Sequence, residues 1–453
     1  METEPVAAVL PPVLPDDVVA AILGRLLARS LAVSRRVCRA WRDLVDDRGL
    51  LLRAQRLLPS TVTGLFVNYF NHGAPHFFAH PTTPEGGNDT IDGRPEFIVP
   101  GRPTSWYSIA DHCNGLILYR DDWDDELLVC NPATRRWAHL PQISSSAVPG
   151  GRLWKRRLFL VFDPAMSPHY DVLVEPLSPA HDDGAAMDDE WPPYRWTWQV
   201  FSSAAGRWSE RVFVRDGEAA GTAGGLVAVI NSLPQGITDD DKRWRYAAYW
   251  RGALYVHCGG EYISRSPIDG DQCRNGGRSE KGIYLASING RHFRVWMLHH
   301  HDESSNDDDH HHQTTGYSWI PKHDRVLGTK DWLAVVEADG YLQMQSDGPW
   351  ILDDYYGNAT GKRNNNAVNW SSDDEDDIIC TTQDCTDDDY WGEVVFLGFH
   401  PYKEVVFLAT GNVAVAYHMN TAKVQFLGIL EPMVWSYCVS DSFVYTPCHV
   451  QHA

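Results

Sequence analysis

The chain has no run approaching the ~18 consecutive apolar residues that a membrane-spanning helix needs. Its opening, METEPVAAVLPPVLP, carries two glutamates where a secretory leader wants positive charge, and its apolar stretch stops at Pro11 and Pro12. Cysteine is sparse and unpatterned: the nine residues show no repeated short spacing and their number is odd, which argues against a disulfide framework. Positive charge is also short, with 39 Lys and Arg against 60 Asp and Glu and a net charge of −21. A field of that sign repels phosphate, so neither nucleic acid nor an anionic membrane is expected as a partner. Catalytic signatures are missing too. There is no nucleophile elbow, no zinc-protease histidine pair, no dinucleotide fingerprint and no calcium loop. The nearest approach to a phosphate loop, GNATGK at 357–362, has three residues between its glycines, and Arg363 stands where a Ser or Thr should bind the metal. Sequons at Asn88, Asn358 and Asn369 have no secretory signal to go with them. A soluble protein of the cytoplasm and/or nucleus, not secreted, is the expectation.

What is present is apolar and aromatic. Hydrophobic residues make up 43% of the 453, enough for a sizeable core, and there are 18 Trp, 19 Tyr and 15 Phe. The length suits two to four domains, or a large repeat fold beside a small domain. Residues 1–60 hold seven acidic and nine basic residues, every basic one Arg; subtracting that +2 from −21 leaves −23 for the remaining 393. Texture changes at the same place, near 58–61. Before it, apolar residues fall at helical spacing; after it they alternate or form short β-branched and aromatic runs cut by Gly, Pro and Asn. The first region reads as three short helices. LPDDVVAAILGRL opens with Pro15 and two Asp, which suit a helix N-terminus. Val18, Val19, Ile22, Leu23 and Leu26 then form one broad apolar face. Ser30 is placed to cap a second helix. CRAWRDLV gives a third, with Trp41 and Leu44 inward and Arg39, Arg42 and Asp43 outward. A bundle this small is marginal alone and has more apolar surface than three short helices can bury.

The segment LPDDVVAAILGRLLARSLAVSRRVCRAWRDLVDD resembles an F-box. The matching features are Leu14-Pro15, AILGRL in the first helix, RSL at 29–31, and VCRAWRDLV with Val37, Cys38 and Trp41. Leu27 departs from the family, which usually has Pro there, as does AVSRR at 32–36. The resemblance implies an F-box over 10–58 that binds a Skp-type adaptor and, through it, a cullin scaffold of a ubiquitin ligase. It implies an adaptor-binding face of Leu14, Pro15, Ile22, Leu23, Leu26, Val37, Cys38 and Trp41, some acting through bundle packing.

Beyond Thr61 a motif recurs in which a strand ends in a polar turn and restarts on a basic and then a bulky residue. It appears as VCNPATRRWAHLP (129–141), VFSSAAGRWSERVF (200–213), ASINGRHFRVWML (286–298) and, weakly, YHMNTAKVQFLG (417–428). Apolar strands lie between: 115–119, 157–164, 252–258, 331–340 and 393–419. Many short strands with periodic aromatics predict a propeller or large sandwich. The turn centres are separated by 72, 84 and 131 residues, which fixes no blade period. DHCNGLILY followed by VCNPATRRWAHLP, with FDPAMSPHYDVL, WRGALYVHC and LGFHPYKEVVFL, is similar to the F-box-associated domain of large plant F-box families, especially grass-type members. That resemblance implies an α+β multidomain protein: a three-helix F-box, then an all-β propeller-like domain over 61–453; the strand pattern itself suggests roughly six to eight blades. It also implies that this domain captures the protein to be ubiquitinated, whose identity and binding loops the sequence leaves unknown. Low-complexity loops are expected near 182–190, 299–313 and 363–390.

Three features invite chemistry. LHHHDESSNDDDHHHQ (298–313) offers imidazole and carboxylate ligands, but adjacent identical histidines in a polar stretch read as a low-complexity insertion. Cys380 and Cys385 have no second pair of matching spacing, and the surrounding carboxylates raise thiol pKa. Acidic runs at 121–126, 307–309 and 373–377 read as exposed loops, or as a rim selecting a basic target. The expectation is therefore a non-enzymatic receptor with no catalytic residue, metal or cofactor. The alternative is a kelch-like propeller enzyme or carbohydrate-binding protein with an incidental helical extension.

Overall fold

A computed structural model describes residues 15–24, 34, 37–48, 50, 62–70, 74–80, 91, 107–121, 124–144, 153, 156–164, 167–179, 182, 184–215, 218–231, 247–250, 253–257, 263–267, 283–289, 292–300, 317–327, 350–353, 394–430 and 438–448. The chain divides into two units, Met1–Ser60 with Pro164–Met166, and Thr61–Asp163 with Ser167–Ala453.

In the first unit, α1 (Asp16–Leu23) and α2 (Arg39–Asp47) pack through a small cluster of Ala20, Leu23, Val45 and Leu50, with Val19, Trp41 and Leu44 at its margin. Most of the helix expected after Ser30 lies outside the described residues.

The second unit is all-β apart from one short helix among the described residues. Strands β1 (Gly64–Tyr69) and β2 (His76–Ala79) come first. Next is the sheet β3 (Tyr107–Cys113), β4 (Leu116–Asp121), β5 (Leu127–Asn131) and β6 (Arg136–His139). β7 (Leu158–Phe162), β8 (Tyr170–Val174), β10 (Arg195–Ser202) and β11 (Arg207–Val214) form another, with the pair β9 (Glu190–Trp191) and β12 (Gly221–Thr222) beside α3 (Ala223–Asn231). Two three-stranded sheets follow: β13 (Ala247–Trp250), β14 (Ala253–His257) and β15 (Ile263–Pro267), then β16 (Ile283–Asn289), β17 (His292–His300) and β18 (Tyr317–Val326). After β19 (Ile351–Leu352) comes the sheet β20 (Val394–Phe399), β21 (Val405–Thr410), β22 (Val413–His418) and β23 (Lys423–Ile429). Finally β24 (Val439–Tyr445) pairs with β1, in a sheet ordered β19-β2-β1-β24. Every pairing among the described residues is antiparallel, and this last sheet joins the two ends of the domain.

Successive sheets are packed face to face, which makes the domain propeller-like. One core cluster lies between the β16–β18 and β20–β23 sheets, around Phe293, Val295, Val406 and Leu408. Another joins β20–β23 to the closing sheet through Phe407, Leu427, Leu65 and Phe78. A third joins the closing sheet to β3–β6, with Phe66, Phe77, Tyr445 and Tyr119. Strands such as β7 are buried along their whole length, with β3 and β4 on one side and β13 on another. That is why they read as continuous apolar runs rather than as alternation. Among the described residues there are four four-stranded and two three-stranded sheets; the domain is a five-bladed propeller, which corrects the expected six to eight blades. The strand expected over 331–340 lies outside the described residues.

Three of the four recurring turns share one geometry. Four residues join Asn131 to Arg136, Ser202 to Arg207 and His418 to Lys423, and the last of each four adopts positive φ: Arg135 at 54°, Gly206 at 64° and Ala422 at 54°. ASINGRHF differs. Asn289 pairs with His292 across two residues, and this link joins the first and second strands of its sheet rather than the third and fourth. This difference in place explains the irregular intervals. A two-residue Asn-Gly turn with φ of 49° and 85° links β3 to β4, as the right-handed strand twist favours. A Cβ on Gly115 would lie 2.5 Å from the Cys448 Cβ, so the C-terminal stretch packs directly on this turn.

Candidate protein-docking surface

Pro15 stands immediately before α1, and its carbonyl accepts from the Val18 and Val19 amides at 2.9 and 3.1 Å. Pro is tolerated here because the first amides of a helix have no partner within it. Asp16 and Asp17 occupy the first turn, where the macrodipole favours negative charge. Asp17 also accepts from an Arg48 guanidinium nitrogen at 2.6 Å. With side chains 82% and 44% exposed, this pair is worth at most about 1 kcal/mol.

The helix splits its apolar residues between two faces. Ala20 and Leu23 go inward, while Val18 and Ile22, one turn apart, remain 42% and 50% exposed. Val37 is 63% exposed and Cys38 carries an exposed thiol. Local hydrogen bonds fix that corner: the Val37 amide donates to the Ser34 carbonyl, and the Cys38 carbonyl accepts from the Arg42 amide, both at 3.1 Å. Trp41 and Leu44 are half-buried against the cluster, and Arg39, Arg42 and Asp43 are exposed, as the sequence predicts. Each Val- or Ile-sized side chain left in water forgoes about 1.5–3 kcal/mol of full burial, and the described residues of this unit leave three largely exposed.

The predicted site residues therefore fall into distinct classes. Pro15, Ile22, Val37 and Cys38 are exposed; Leu23 is buried and supports the bundle; Trp41 does both. Leu14 and Leu26 lie outside the described residues. Val18 belongs with the exposed set, and its signal in the sequence is its position one turn before Ile22. The expected single face of Val18, Val19, Ile22, Leu23 and Leu26 is corrected to two faces over its described residues, because α2 covers Leu23 and leaves Val18 and Ile22 exposed.

In the β unit, several chemical expectations change. The run at 121–126 is not a plain exposed loop. Asp121 is 7% exposed and its carboxylate accepts from the Asp124 amide, while Asp125 accepts from the Leu153 amide. His299 and His300 extend β17, opposite Ser318 and Tyr317, rather than starting a loop. The remaining histidines of that tract, Cys380, Cys385, and the runs at 307–309 and 373–377 lie outside the described residues, as does 363–390. The stretch near 182–190 contains local turns: the Gly184 amide donates to the Asp182 carboxylate, and β9 begins at Glu190. Among the described residues no three His, Cys, Asp or Glu converge as metal ligands. No helix among them is long and apolar enough to cross a membrane.

The titratable groups that do stand out are tied to packing. His323 accepts or donates with the Tyr417 hydroxyl at 2.9 Å; burial and then Arg325 hold its pKa below the usual value. Burial pushes the Tyr170 phenol up to about 12 and Tyr445 well above its ordinary range. Tyr284 is raised by burial and by Glu404, to which it donates at 3.0 Å. The His323–Tyr417 and Tyr284–Glu404 contacts join neighbouring sheets.

Residues 12–55 match the family model of the F-box-like domain, which covers both described helices of the first unit. No curated protein matches the chain.

Proposed function

We propose that the chain is the target-recognition subunit of a Skp–cullin–F-box ubiquitin ligase. The F-box-like match over 12–55 carries this reading, and the exposed Val18, Ile22, Val37 and Cys38 supply the apolar surface that an adaptor would cover. The F-box extends over 10–58, and the β domain over 61–453 belongs to the F-box-associated type seen in grass-type plant families. Leu14, Pro15, Leu26 and Trp41 join the same adaptor-binding face, with Leu23 shaping it from inside the bundle.

The β domain binds a target protein, and the F-box binds the Skp-type adaptor that leads to the cullin scaffold. No chemistry is required of the chain. It works in the cytoplasm and/or nucleus by tethering, which raises the effective concentration of target at the charged enzyme to roughly mM. A rigid scaffold of stacked sheets suits this role, since loops held on it present a fixed surface.

Affinity capture under proteasome inhibition tests the reading. Intact chain should bring down adaptor, cullin and ubiquitinated target together. A version lacking residues 1–60 should retain the target and lose the ligase. Recovery of the same ligase subunits by both versions would refute it.

A further inference from the structure

The outermost strand of the second blade has properties that the other outer strands lack. β11 pairs with β10 over all eight residues, from Arg207↔Ser202 to Val214↔Arg195, with no register shift. It stands at the end of the order β11-β10-β8-β7, and among the described residues no strand lies on its far side. By comparison, β6 has four residues and β19 two. β15 ends on Pro267, and β18 contains Pro321 beside a register shift. Next to β23, the Trp350 amide already donates to the Leu427 carbonyl at 2.8 Å. A long, regular, proline-free edge is an open template for another strand.

The side chains of β11 sort into two rows. Arg207, Ser209, Arg211 and Phe213 share one face, backed by Ser202, Val200, Trp198 and Trp196 on β10. Trp208, Glu210, Val212 and Val214 share the other, backed by Phe201, Gln199, Thr197 and Arg195. Arg207 is exposed, Arg211 half-buried, and Val212 and Val214 are 43% and 53% exposed. Glu210 accepts from the Gln199 amide at 3.3 Å, and Arg215 just beyond the strand donates to Glu190 at 2.6 Å. The edge thus presents arginine on one face and bare valine on the other, within a chain of net charge −21.

We propose that β11 is a docking strand for an extended partner segment whose residues alternate between acidic and aliphatic. The incoming strand, about six to eight residues long, pairs with the open backbone edge. Its carboxylates fall beside Arg207 and Arg211, and its aliphatic residues beside Val212 and Val214, as cross-strand neighbours do. This deepens the target-binding reading of the β domain by naming a strand and the chemistry of its ligand.

The test uses the full chain and a labelled peptide of three Glu-Val repeats flanked by serines, followed by fluorescence anisotropy. Saturable binding is expected, at least tenfold weaker for the Lys-Val counterpart and for an acidic peptide N-methylated at alternate residues. Exposed Arg207→Glu should shift the preference towards Lys-Val while leaving the melting temperature in place. Equal binding of the two charge types, no saturable binding, or an unchanged preference in that variant would overturn the proposal. So would an Arg207→Ser, Arg211→Ser variant that self-associates without any peptide binding in the parent, since the arginines would then only guard the edge. Adaptor capture is measured on the same samples. Its loss with peptide binding intact counts against the ligase reading alone, and the converse counts against the docking strand alone.

Discussion

Ile22 and Leu23 are neighbours in α1 with opposite surroundings: Leu23 is 1% exposed against Val45 and Leu50, and Ile22 is 50% exposed. Substitution should separate folding from docking accordingly. Ile22→Ser should shift unfolding by no more than about 0.5 kcal/mol but weaken adaptor binding about tenfold or more. Leu23→Ala should cost about 2–5 kcal/mol and lose both together. Thermal unfolding beside adaptor titration reads the difference. Trp41→Ala is less informative, because Trp41 lies partly in the same cluster.

Two glycines of positive φ should respond differently to a methyl group. Around Gly206 nothing lies within 4 Å, so Gly206→Ala meets only backbone strain, about 1–2 kcal/mol. At Gly115 the same strain is joined by collision with the Cys448 Cβ and amide, each 2.5 Å away, adding about 1–3 kcal/mol. Urea unfolding should rank Gly115→Ala well below Gly206→Ala. Equal losses would mean the C-terminal stretch does not pack on the β3–β4 turn.

Ring closure should depend on Tyr445. Its ring meets Phe66 edge-on at 5.1 Å and Phe77 at 6.0 Å, and it is fully buried where β24 pairs with β1. Tyr445→Ala should cost about 3–5 kcal/mol and open the closing sheet to proteolysis before the β20–β23 sheet. Cleavage mapped first to β20–β23 would contradict this.

How much of this was legible in the residues depends on how local each feature is. The turns at Arg135, Gly206 and Ala422 are set by a few neighbouring residues, and the repeated motif locates them. The split between Ile22 and Leu23 is not local. Apolar residues at four adjacent helix positions make a face wider than one partner helix covers, and only α2's position decides which half is left in water. Asp121 misleads for the same reason. It belongs to an acidic run, yet it ends β4, where it is buried and accepts from the Asp124 amide. The pairing of β1 with β24 joins opposite ends of the domain, and no periodicity encodes a contact of that range.

The buried His323 gives stability a pH dependence of definite sign. Its folded pKa lies below the ordinary value of 6.5, so the neutral ring is the form the fold holds. Its contribution is complete above the unfolded pKa and is lost as pH falls through the lowered folded value. The urea midpoint should therefore decline as pH drops below about 6.5, more steeply in the parent than in His323→Gln. Identical slopes in the two proteins would exclude His323 as a source.

The adaptor-binding claim is tested most directly by calorimetric titration of the full chain with a purified Skp-type adaptor. One-to-one binding is expected, weakened by about 1.4 kcal/mol or more in Ile22→Asp or Val37→Asp while the melting temperature of the β domain stays unchanged. Absence of binding by the intact chain, or equal affinity for both substituted chains, would contradict the account.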